Sequence, residues 1–268
     1  MKPIKGFSRP GEDLPDSEAQ RADADSRAGR DARRDGGKRG SGIGDWVVHK
    51  TNQLLAFNKP AALPVQTARE GAPSLQRLAS AYAKRDLYLV HRIDQPASGL
   101  VLFGRHRAKA GLLQGQFADG SASRTYLAVV EGEPTAEEGE LTHYLTHDSR
   151  GNKASVFADA DAEGATGAKR ATLHWRSVGQ TDRYRILEVR LTTGRPHQVR
   201  AQLAAIGMPI HGDVKYGARR GNPDRSIHLH AWRLGIDHPV SGERVELEAP
   251  LPTDDALWAA AAAVVGEV

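Results

Sequence analysis

The sequence predicts an α+β protein in which helices flank a mainly antiparallel, mixed β-sheet. Segments with the composition of short strands outnumber helical segments, and the helices intervene at irregular intervals. Many connections have the length of hairpin turns, which join antiparallel neighbours. With 268 residues, the chain is long enough for one large domain with its own core.

Composition excludes several classes of protein. Hydrophobic residues make up 39% and charged residues 26% of the chain, as in ordinary globular proteins. No apolar run approaches the roughly 20 residues that span a bilayer, and the N-terminus lacks an apolar leader, so we expect a cytoplasmic protein without a membrane partner. The absence of cysteine excludes disulfides, thiol nucleophiles and cysteine-bound metal clusters. A net charge of +4 permits a nucleic acid partner without requiring one.

The first 44 residues differ in composition from the rest of the chain. They carry charges of both signs and many glycine, alanine and arginine residues, but only isolated large apolar residues. Such a segment buries too little apolar surface to offset the entropy that it would lose on ordering. We therefore predict a disordered charged tail over residues 1–44 and a folded domain over residues 45–268.

Strands and two helices are predicted along most of the domain. The folded part is expected to begin near residues 46–48, and residues 54–60 are expected to be a strand that runs into a proline-terminated loop. Ser74 has the residue type of an N-cap for a helix over residues 75–83. A second helix is expected over residues 108–117. Further strands are predicted at residues 87–90, 100–103, 124–130, 141–146, 154–158, 171–175, 227–234 and 245–247.

Three regular segments define the second half. Residues 184–191 alternate between apolar and polar side chains, which predicts a half-buried strand. Residues 197–206 are expected to form a helix with an inward apolar face made of Val199, Leu203 and Ile206. An alanine-rich helix over residues 254–265 closes the domain, with Thr253 or Asp254 as its N-cap.

A charged turn lies between two apolar segments. Residues 87–90 and 100–103 have the length and composition of buried strands, and Gln-Pro-Ala-Ser-Gly at 95–99 is typical of a turn. Asp94 therefore sits on a tight loop between rigid elements, with Arg92 close in sequence. A nearby guanidinium favours an ionised carboxylate, which could serve catalysis. The alternative is that Asp94 only satisfies backbone donors of the turn.

Two more segments carry side chains suited to a site. Tyr126 could stack on a base or use its hydroxyl group, or it could be an ordinary strand-core tyrosine. Residues 193–200 form a strand–turn–helix joint with four polar side chains, namely Arg195, His197, Gln198 and Arg200. Since a helix N-terminus attracts anions, this joint is suited to a carboxylate or a phosphate. The alternative is a solvated polar helix start.

Several of these segments resemble the RluA-type pseudouridine synthases. Residues 91–100 (His-Arg-Ile-Asp-Gln-Pro-Ala-Ser-Gly-Leu) resemble that family's His-Arg-Leu-Asp-x-x-Thr-Ser-Gly-Leu signature. Residues 58–65 are similar to its Lys-Pro-Ala-Gly segment, and residues 124–128 to its Lys/Arg-x-Tyr strand. Residues 193–200 and 206–217 resemble its stretch with Thr-Gly-Arg-x-His-Gln-Ile-Arg and Gly-Asp-x-x-Tyr-Gly. Four motifs in the family's order make chance a poor explanation.

The resemblance implies the pseudouridine synthase catalytic fold and an isomerase that converts uridine in ribosomal or transfer RNA to pseudouridine. It implies that Asp94 is the catalytic aspartate, that Tyr126 lies against the target base, and that Arg200 orients Asp94. The further RNA-binding candidates are Arg92, Arg195, His197 and Gln198. Because the reaction loses no group and changes no oxidation state, it needs no metal and no cofactor.

The resemblance leaves the role of the carboxylate open. Asp94 could attack the sugar or the base, or it could remove a ribose proton. In either case the target nucleotide must be flipped out of its stack, and Arg92 could hold a phosphate or fill the gap that the base leaves. We expect a monomer without an S4 RNA-binding domain, so that RNA recognition depends largely on the catalytic domain.

Two alternatives from other functional classes stay open. A metal-dependent phosphoesterase could use imidazole and carboxylate ligands from His211, Asp213, His228 and His230. The simpler interpretation of these residues is a polar, exposed strand face. A non-catalytic RNA-binding module with the same fold would bind RNA without turning it over.

Overall fold

A mixed β-sheet forms the frame of the protein in the computed structural model. The structure describes residues 42–67, 69, 71–253 and 255–266. All but the last three residues of the predicted tail over 1–44 lie outside the described residues, so the tail and its boundary stay predictions. Within the described ranges, no helix is long and apolar enough to cross a membrane.

Eleven strands and four α-helices make up most of the described chain, with 3₁₀ helices at Ile43–Trp46 and Val214–Tyr216. The strands are β1 (Val47–Lys50), β2 (Leu54–Lys59), β3 (Tyr88–Leu89), β4 (Ser98–Gly104), β5 (Ser123–Glu131), β6 (Glu138–Asp148), β7 (Lys153–Phe157), β8 (Lys169–Gln180), β9 (Tyr184–Leu191), β10 (Leu229–Asp237) and β11 (Arg244–Glu248). The α-helices are α1 (Leu75–Ala83), α2 (Arg107–Asp119), α3 (Gln198–Ala205) and α4 (Ala256–Gly266).

The strands join into one sheet in the order β1-β2-β4-β10-β5-β9-β8-β6-β7, with β3 paired to β4 and β11 paired to β10. The ladder between β4 and β10 is parallel, whereas neighbours such as β5 and β9 are antiparallel. Helices cover apolar side chains of the sheet, as in the packing of α3 against β8 and β9. The predicted α+β class with a mainly antiparallel, mixed sheet is confirmed.

Strand β9 has the predicted bounds, but the prediction that it is half-buried was wrong. Ile186 packs beneath α4 and Leu187 packs with residues of α3, so helices cover both faces of the strand. Glu188 is buried as well, where it pairs with Arg176 and Arg190 at 2.9 Å and 2.8 Å. Burial acts to raise the pKa of Glu188, but hydrogen bonds and charges from the two arginines outweigh it and lower the pKa.

The helix ends show which local predictions hold. The predicted cap of α1 is present, since the Ser74 hydroxyl accepts a hydrogen bond from the Arg77 N–H at 3.4 Å. The cap of α4 is instead Asp255, whose carboxylate accepts from the Trp258 N–H at 2.8 Å. Ile206, predicted to face inward, is 38% exposed because α3 ends at Ala205 before the residue can turn toward the core.

The parallel contact of β4 with β10 fixes the loop that carries Asp94. Ser98 and Gly99 lie opposite His230 and Ala231. Gly99 has a φ of +111°, and a Cβ at this position would lie 2.3 Å from the Ala231 carbonyl oxygen. Only glycine fits so close an approach of two backbones in this conformation. The turn therefore meets the centre of the sheet at a fixed point.

Candidate active site

The residues predicted for the site line one cleft of about 860 Å³. The walls come from the turn before β4, the start of β5 and the joint between β9 and α3. All seven predicted residues contribute to the lining, namely Arg92, Asp94, Tyr126, Arg195, His197, Gln198 and Arg200. Segments that are far apart in sequence thus meet around one space that is large enough for a nucleotide.

The buried Lys59 side chain holds the Asp94 turn in place through hydrogen bonds to its backbone. The Lys59 side chain has no exposed surface, and its ammonium nitrogen lies 3.1 Å from the Gln95 carbonyl oxygen and 2.6 Å from that of Ala97. The same nitrogen donates to the carbonyl oxygens of Pro60 and Leu63. Burial lowers the pKa of Lys59 to about 7, and the charge of Asp94 acts against this shift. The lysine ties the loop after β2 to the turn that carries the carboxylate.

Arg200 joins two carboxylates in the wall of the cleft. Its Nε and Nη2 donate to Asp213 at 2.7 Å and 2.9 Å, in a bidentate pair. Its Nη1 donates to Asp94 Oδ2 at 3.2 Å. Burial acts to lower the pKa of Arg200, but the hydrogen bonds and charges of Asp213 and Asp94 raise it above the usual value. A fixed cation therefore lies beside one oxygen of Asp94.

His197 approaches the other oxygen of Asp94. Its Nε2 lies 4.0 Å from Asp94 Oδ1, and its Nδ1 lies 2.8 Å from the Tyr216 hydroxyl oxygen. The Tyr216 ring also lies beneath the guanidinium of Arg200, 4.9 Å from ring centre to Cζ. Burial lowers the pKa of His197, as do the charges of Arg200, His147 and Lys215, while Asp94 acts in the opposite direction.

Tyr126 stands in β5 on the cleft side of the sheet. It is partly buried, packs against two apolar clusters and lines the cleft. Burial raises the pKa of Tyr126 to about 12; Arg124 acts against the shift and Asp94 adds to it. The phenol is therefore neutral in the neutral pH range, with a proton to donate and an aromatic ring for stacking.

The remaining predicted residues differ in the exposure of their side chains and in the hydrogen bonds that these side chains make. Arg92 is exposed at the cleft. Arg195 is half-buried, and its Nε donates to the Arg170 carbonyl oxygen at 3.1 Å. Gln198 is buried, accepts from the Thr193 hydroxyl and the Arg195 N–H, and donates to a backbone carbonyl of β8. The geometry favours a structural role for Gln198, and its predicted contact with RNA stays a prediction.

The four side chains of the alternative metal site do not form a set of metal ligands. Each has a different partner: Asp213 with Arg200, His211 with Glu131, His228 with Asp255, and His230 with Ser98. No group of three metal-binding side chains occurs in the part of the chain that the structure describes. Because Asp213 is neutralised by a bidentate arginine, the geometry does not favour the phosphoesterase.

Two further residues of the site were not predicted in their observed roles. The sequence suggests a role for Asp213 only as a metal ligand, yet Asp213 is the main partner of Arg200. The sequence assigns no role to Tyr216, yet its hydroxyl contacts His197. Their position in the Gly-Asp-x-x-Tyr-Gly stretch was the available signal, but it does not name the groups that they contact.

Comparisons with known proteins agree with the motifs. The RNA pseudouridylate synthase family matches residues 53–205. The uncharacterized RNA pseudouridine synthase YlyB of Bacillus subtilis is 35% identical over 166 residues, 62% of this chain and 52% of that protein. Ribosomal large subunit pseudouridine synthase D of Zymomonas mobilis is 31% identical, over 78% of this chain and 69% of that protein.

A solved structure shows the fold independently. Human RNA pseudouridylate synthase domain containing 4 superposes with a TM-score of 0.65 at 20% identity, over 84% of this chain and 94% of that one. The predicted fold is thereby confirmed, and so is the predicted enzyme class, since the family consists of isomerases. The chain belongs to the RNA pseudouridylate synthase family, within its RluA-type group.

Proposed function

We propose that the chain isomerises specific uridines of ribosomal or transfer RNA to pseudouridine, with Asp94 as the catalytic residue. The reaction breaks the bond from N1 of the uracil to C1′ of the ribose and joins C5 to the same carbon. The observation that carries the proposal is the carboxylate of Asp94, which is 21% exposed in the cleft and bound on one oxygen by Arg200.

The surroundings of Asp94 suit a carboxylate that acts on the sugar or the base. The turn is fixed by Lys59 and by the contact of Gly99 with β10, so the carboxylate needs little reorganisation. Arg200 aims it through Oδ2 and is itself held by Asp213. The other oxygen, Oδ1, would then face the substrate. Both attack by the carboxylate and removal of a ribose proton are compatible with this arrangement.

The other residues of the cleft would hold the flipped nucleotide. Tyr126 offers its ring to the uracil, as base–aromatic stacking is worth about 1–3 kcal/mol per base. Arg92, as an exposed cation beside the catalytic turn, would bind a phosphate or fill the gap that the flipped base leaves. Arg195 would contact the RNA backbone from the opposite wall.

The type of RNA is proposed from the relatives. The name of the Zymomonas mobilis protein states that it acts on the ribosomal large subunit, which favours ribosomal RNA. Location in the cytoplasm, a monomeric state and the lack of an S4 domain stay predictions. A non-catalytic RNA-binding module remains the competing proposal, and it predicts binding without turnover.

The proposal is tested by release of tritium from RNA that carries [5-³H]uridine. The C5 hydrogen is lost to solvent when C5 bonds to the ribose, so release reports the reaction directly. We expect release from bulk ribosomal or transfer RNA in the presence of a chelator and without added cofactor. If folded protein binds both RNAs but releases no tritium from either, the enzymatic proposal is wrong and the binding module is favoured.

A further inference from the structure

The hydrogen bonds of His197 and the nearby carboxylate of Asp94 together assign a position to the ring proton. The Tyr216 oxygen accepts the Ala154 N–H at 2.7 Å, so its own proton needs an acceptor elsewhere. We assign Nδ1 of His197, 2.8 Å away, as that acceptor, because this tautomer turns an N–H group rather than a lone pair of Nε2 toward the carboxylate of Asp94. Because burial keeps the imidazole neutral, the ring proton must then lie on Nε2. An N–H group thus points from His197 to the side of the cleft where Asp94 lies.

The backbone holds this ring in an uncommon conformation. His197 has a φ of +55°, in the left-handed region, at the residue that precedes α3. Residues other than glycine adopt this region rarely, and strained conformations are concentrated at functional sites. Leu203 and Val199 anchor the helix that follows in the core, so the ring position is determined by the fold.

The distance between His197 and Asp94 is too long for a direct hydrogen bond and suits a shared third group. Nε2 and Oδ1 lie 4.0 Å apart, and both residues line the cleft. An oxygen placed about 2.8 Å from both atoms would accept a hydrogen bond from Nε2 and donate one to Oδ1. A group that both accepts and donates fits this place, which a water molecule does in the free protein and a hydroxyl does among the groups of a nucleotide.

We propose that His197 and Asp94 together bind the 2′-hydroxyl of the target ribose, with Nε2 as the donor to its oxygen and Oδ1 as the acceptor of its proton. This inference rests on the proposed function, which brings the ribose of the flipped uridine to Asp94. The 2′-hydroxyl is the group that distinguishes RNA from DNA. His197 would then be a specificity residue, and Tyr216 would be a positioning residue that acts through it.

The experiment combines a change in the enzyme with a change in the substrate. Pseudouridine is first mapped in ribosomal or transfer RNA that the enzyme has treated. A synthetic RNA hairpin is then centred on the mapped uridine, and a second hairpin carries 2′-deoxyuridine at that position only. Single-turnover rates at saturating enzyme are measured for the wild type and for His197→Asn. Asparagine tolerates the left-handed backbone but is too short to reach the hydroxyl. Thermal unfolding confirms that the variant is folded.

We expect His197→Asn to slow the ribose substrate about tenfold and the deoxy substrate less than twofold, as for the loss of one hydrogen bond to the 2′-oxygen. Tyr216→Phe should also slow the ribose substrate selectively, by a smaller factor, and should add little in the His197→Asn background. His174→Gln, which removes an exposed histidine from β8, is the matched control and should change neither rate.

The outcomes separate failure of the inference from failure of the proposed function. Equal losses on both substrates would show that His197 acts without reference to the 2′-hydroxyl, and the inference would be wrong. The same conclusion follows if His197→Asn leaves the ribose substrate unaffected. If the wild-type enzyme converts no ribose substrate at all, the proposed function is contradicted, and the inference falls with it.

Discussion

The cleft and the histidine cluster beneath α4 both bury basic side chains, but His228 and His230 of the cluster are neutral whereas Arg200 of the cleft is charged. The histidine cluster consists of His211, His228 and His230 with Trp258 of α4, and neighbouring rings lie 5.0–5.8 Å apart. Burial lowers the pKa of His228, and it lowers that of His230 to about 4, so both rings are neutral near pH 7. In the cleft, the equally buried Arg200 has a raised pKa and stays a cation.

Part of the difference is intrinsic, because a guanidinium loses its proton only at very high pH, and the rest lies in the partners. Burial disfavours the charged form in both regions, but Arg200 contacts the carboxylates of Asp94 and Asp213. His230 pairs with the neutral hydroxyl of Ser98, and His228 pairs with the carboxylate of Asp255, which is 41% exposed. The two carboxylates reinforce the positive charge of Arg200, whereas the weaker partners of His228 and His230 leave these rings neutral. The predictions below test this comparison.

The largest effect is expected for Asp94→Asn. The amide keeps the shape and the hydrogen bonds of the turn but can neither attack nor remove a proton, so turnover should fall at least about 1000-fold while RNA still binds. Tritium release and RNA affinity measure the two properties. Asp237→Asn, at an exposed carboxylate of β10, is the matched control. Wild-type turnover by Asp94→Asn would show that the aspartate is only a turn former.

Replacement of Arg200 should have the next largest effect. Arg200→Ala would leave Asp213 buried without a cation, at a cost of about 3–5 kcal/mol in folding free energy, so Arg200→Lys is the better variant. Lysine keeps the charge but loses the two-pronged pair, and we expect turnover to fall about 10- to 100-fold. In the Asp94→Asn background the same change should cost little more. Losses that multiply would contradict a role in aiming Asp94.

The histidine cluster should affect stability at low pH. As the pH falls from 6.5 toward 4, the unfolded chain binds a proton at residue 230 and the native state does not, so the free energy of unfolding falls. His230→Gln should reduce this slope by about 1.4 kcal/mol per pH unit. Urea unfolding at several pH values measures it, with the exposed His174→Gln as control. An unchanged slope would mean that His230 is protonated in the folded state.

The smallest effect is expected at the cap of α4. Asp255→Ala removes the acceptor of the Trp258 N–H and should cost about 1 kcal/mol of stability. Asp255→Asn keeps a capping oxygen and should cost about half as much or less, because the pair with His228 is partly solvated. Neither variant should change the rate of tritium release. A loss of activity would link α4 to the cleft and contradict the separation of the two regions.

Local chemistry made part of the fold predictable. Ser74 begins α1 because a short hydroxyl side chain satisfies a free N–H of the first turn, and that signal is complete within four residues. The bounds of β9 followed from its composition, but the burial of Glu188 did not, because it depends on a pair with Arg176 of the neighbouring strand β8. Partners that are distant in sequence decide burial, and a local pattern does not contain them.

For the candidate site, too, local motifs were predictable and tertiary contacts were not. The motifs identified Asp94, Tyr126 and Arg200, and the structure places them in one cleft. The contacts of Lys59 with the carbonyl oxygens of the Asp94 turn, and of Asp213 with Arg200, required the tertiary structure. The sequence predicts which residues belong to the site. It does not predict the hydrogen bonds, which show which residues can react and which hold the others in place.

The close approach of Gly99 to Ala231 has an evolutionary consequence. Because backbone atoms set the position of the Asp94 turn there, the exposed side chains of the turn carry little of that constraint. A library randomised over residues 92–99 and selected for folding should return glycine at position 99 and many residues at positions 92 and 95. New RNA targets can then be acquired by drift at the rim of the cleft while the carboxylate keeps its place.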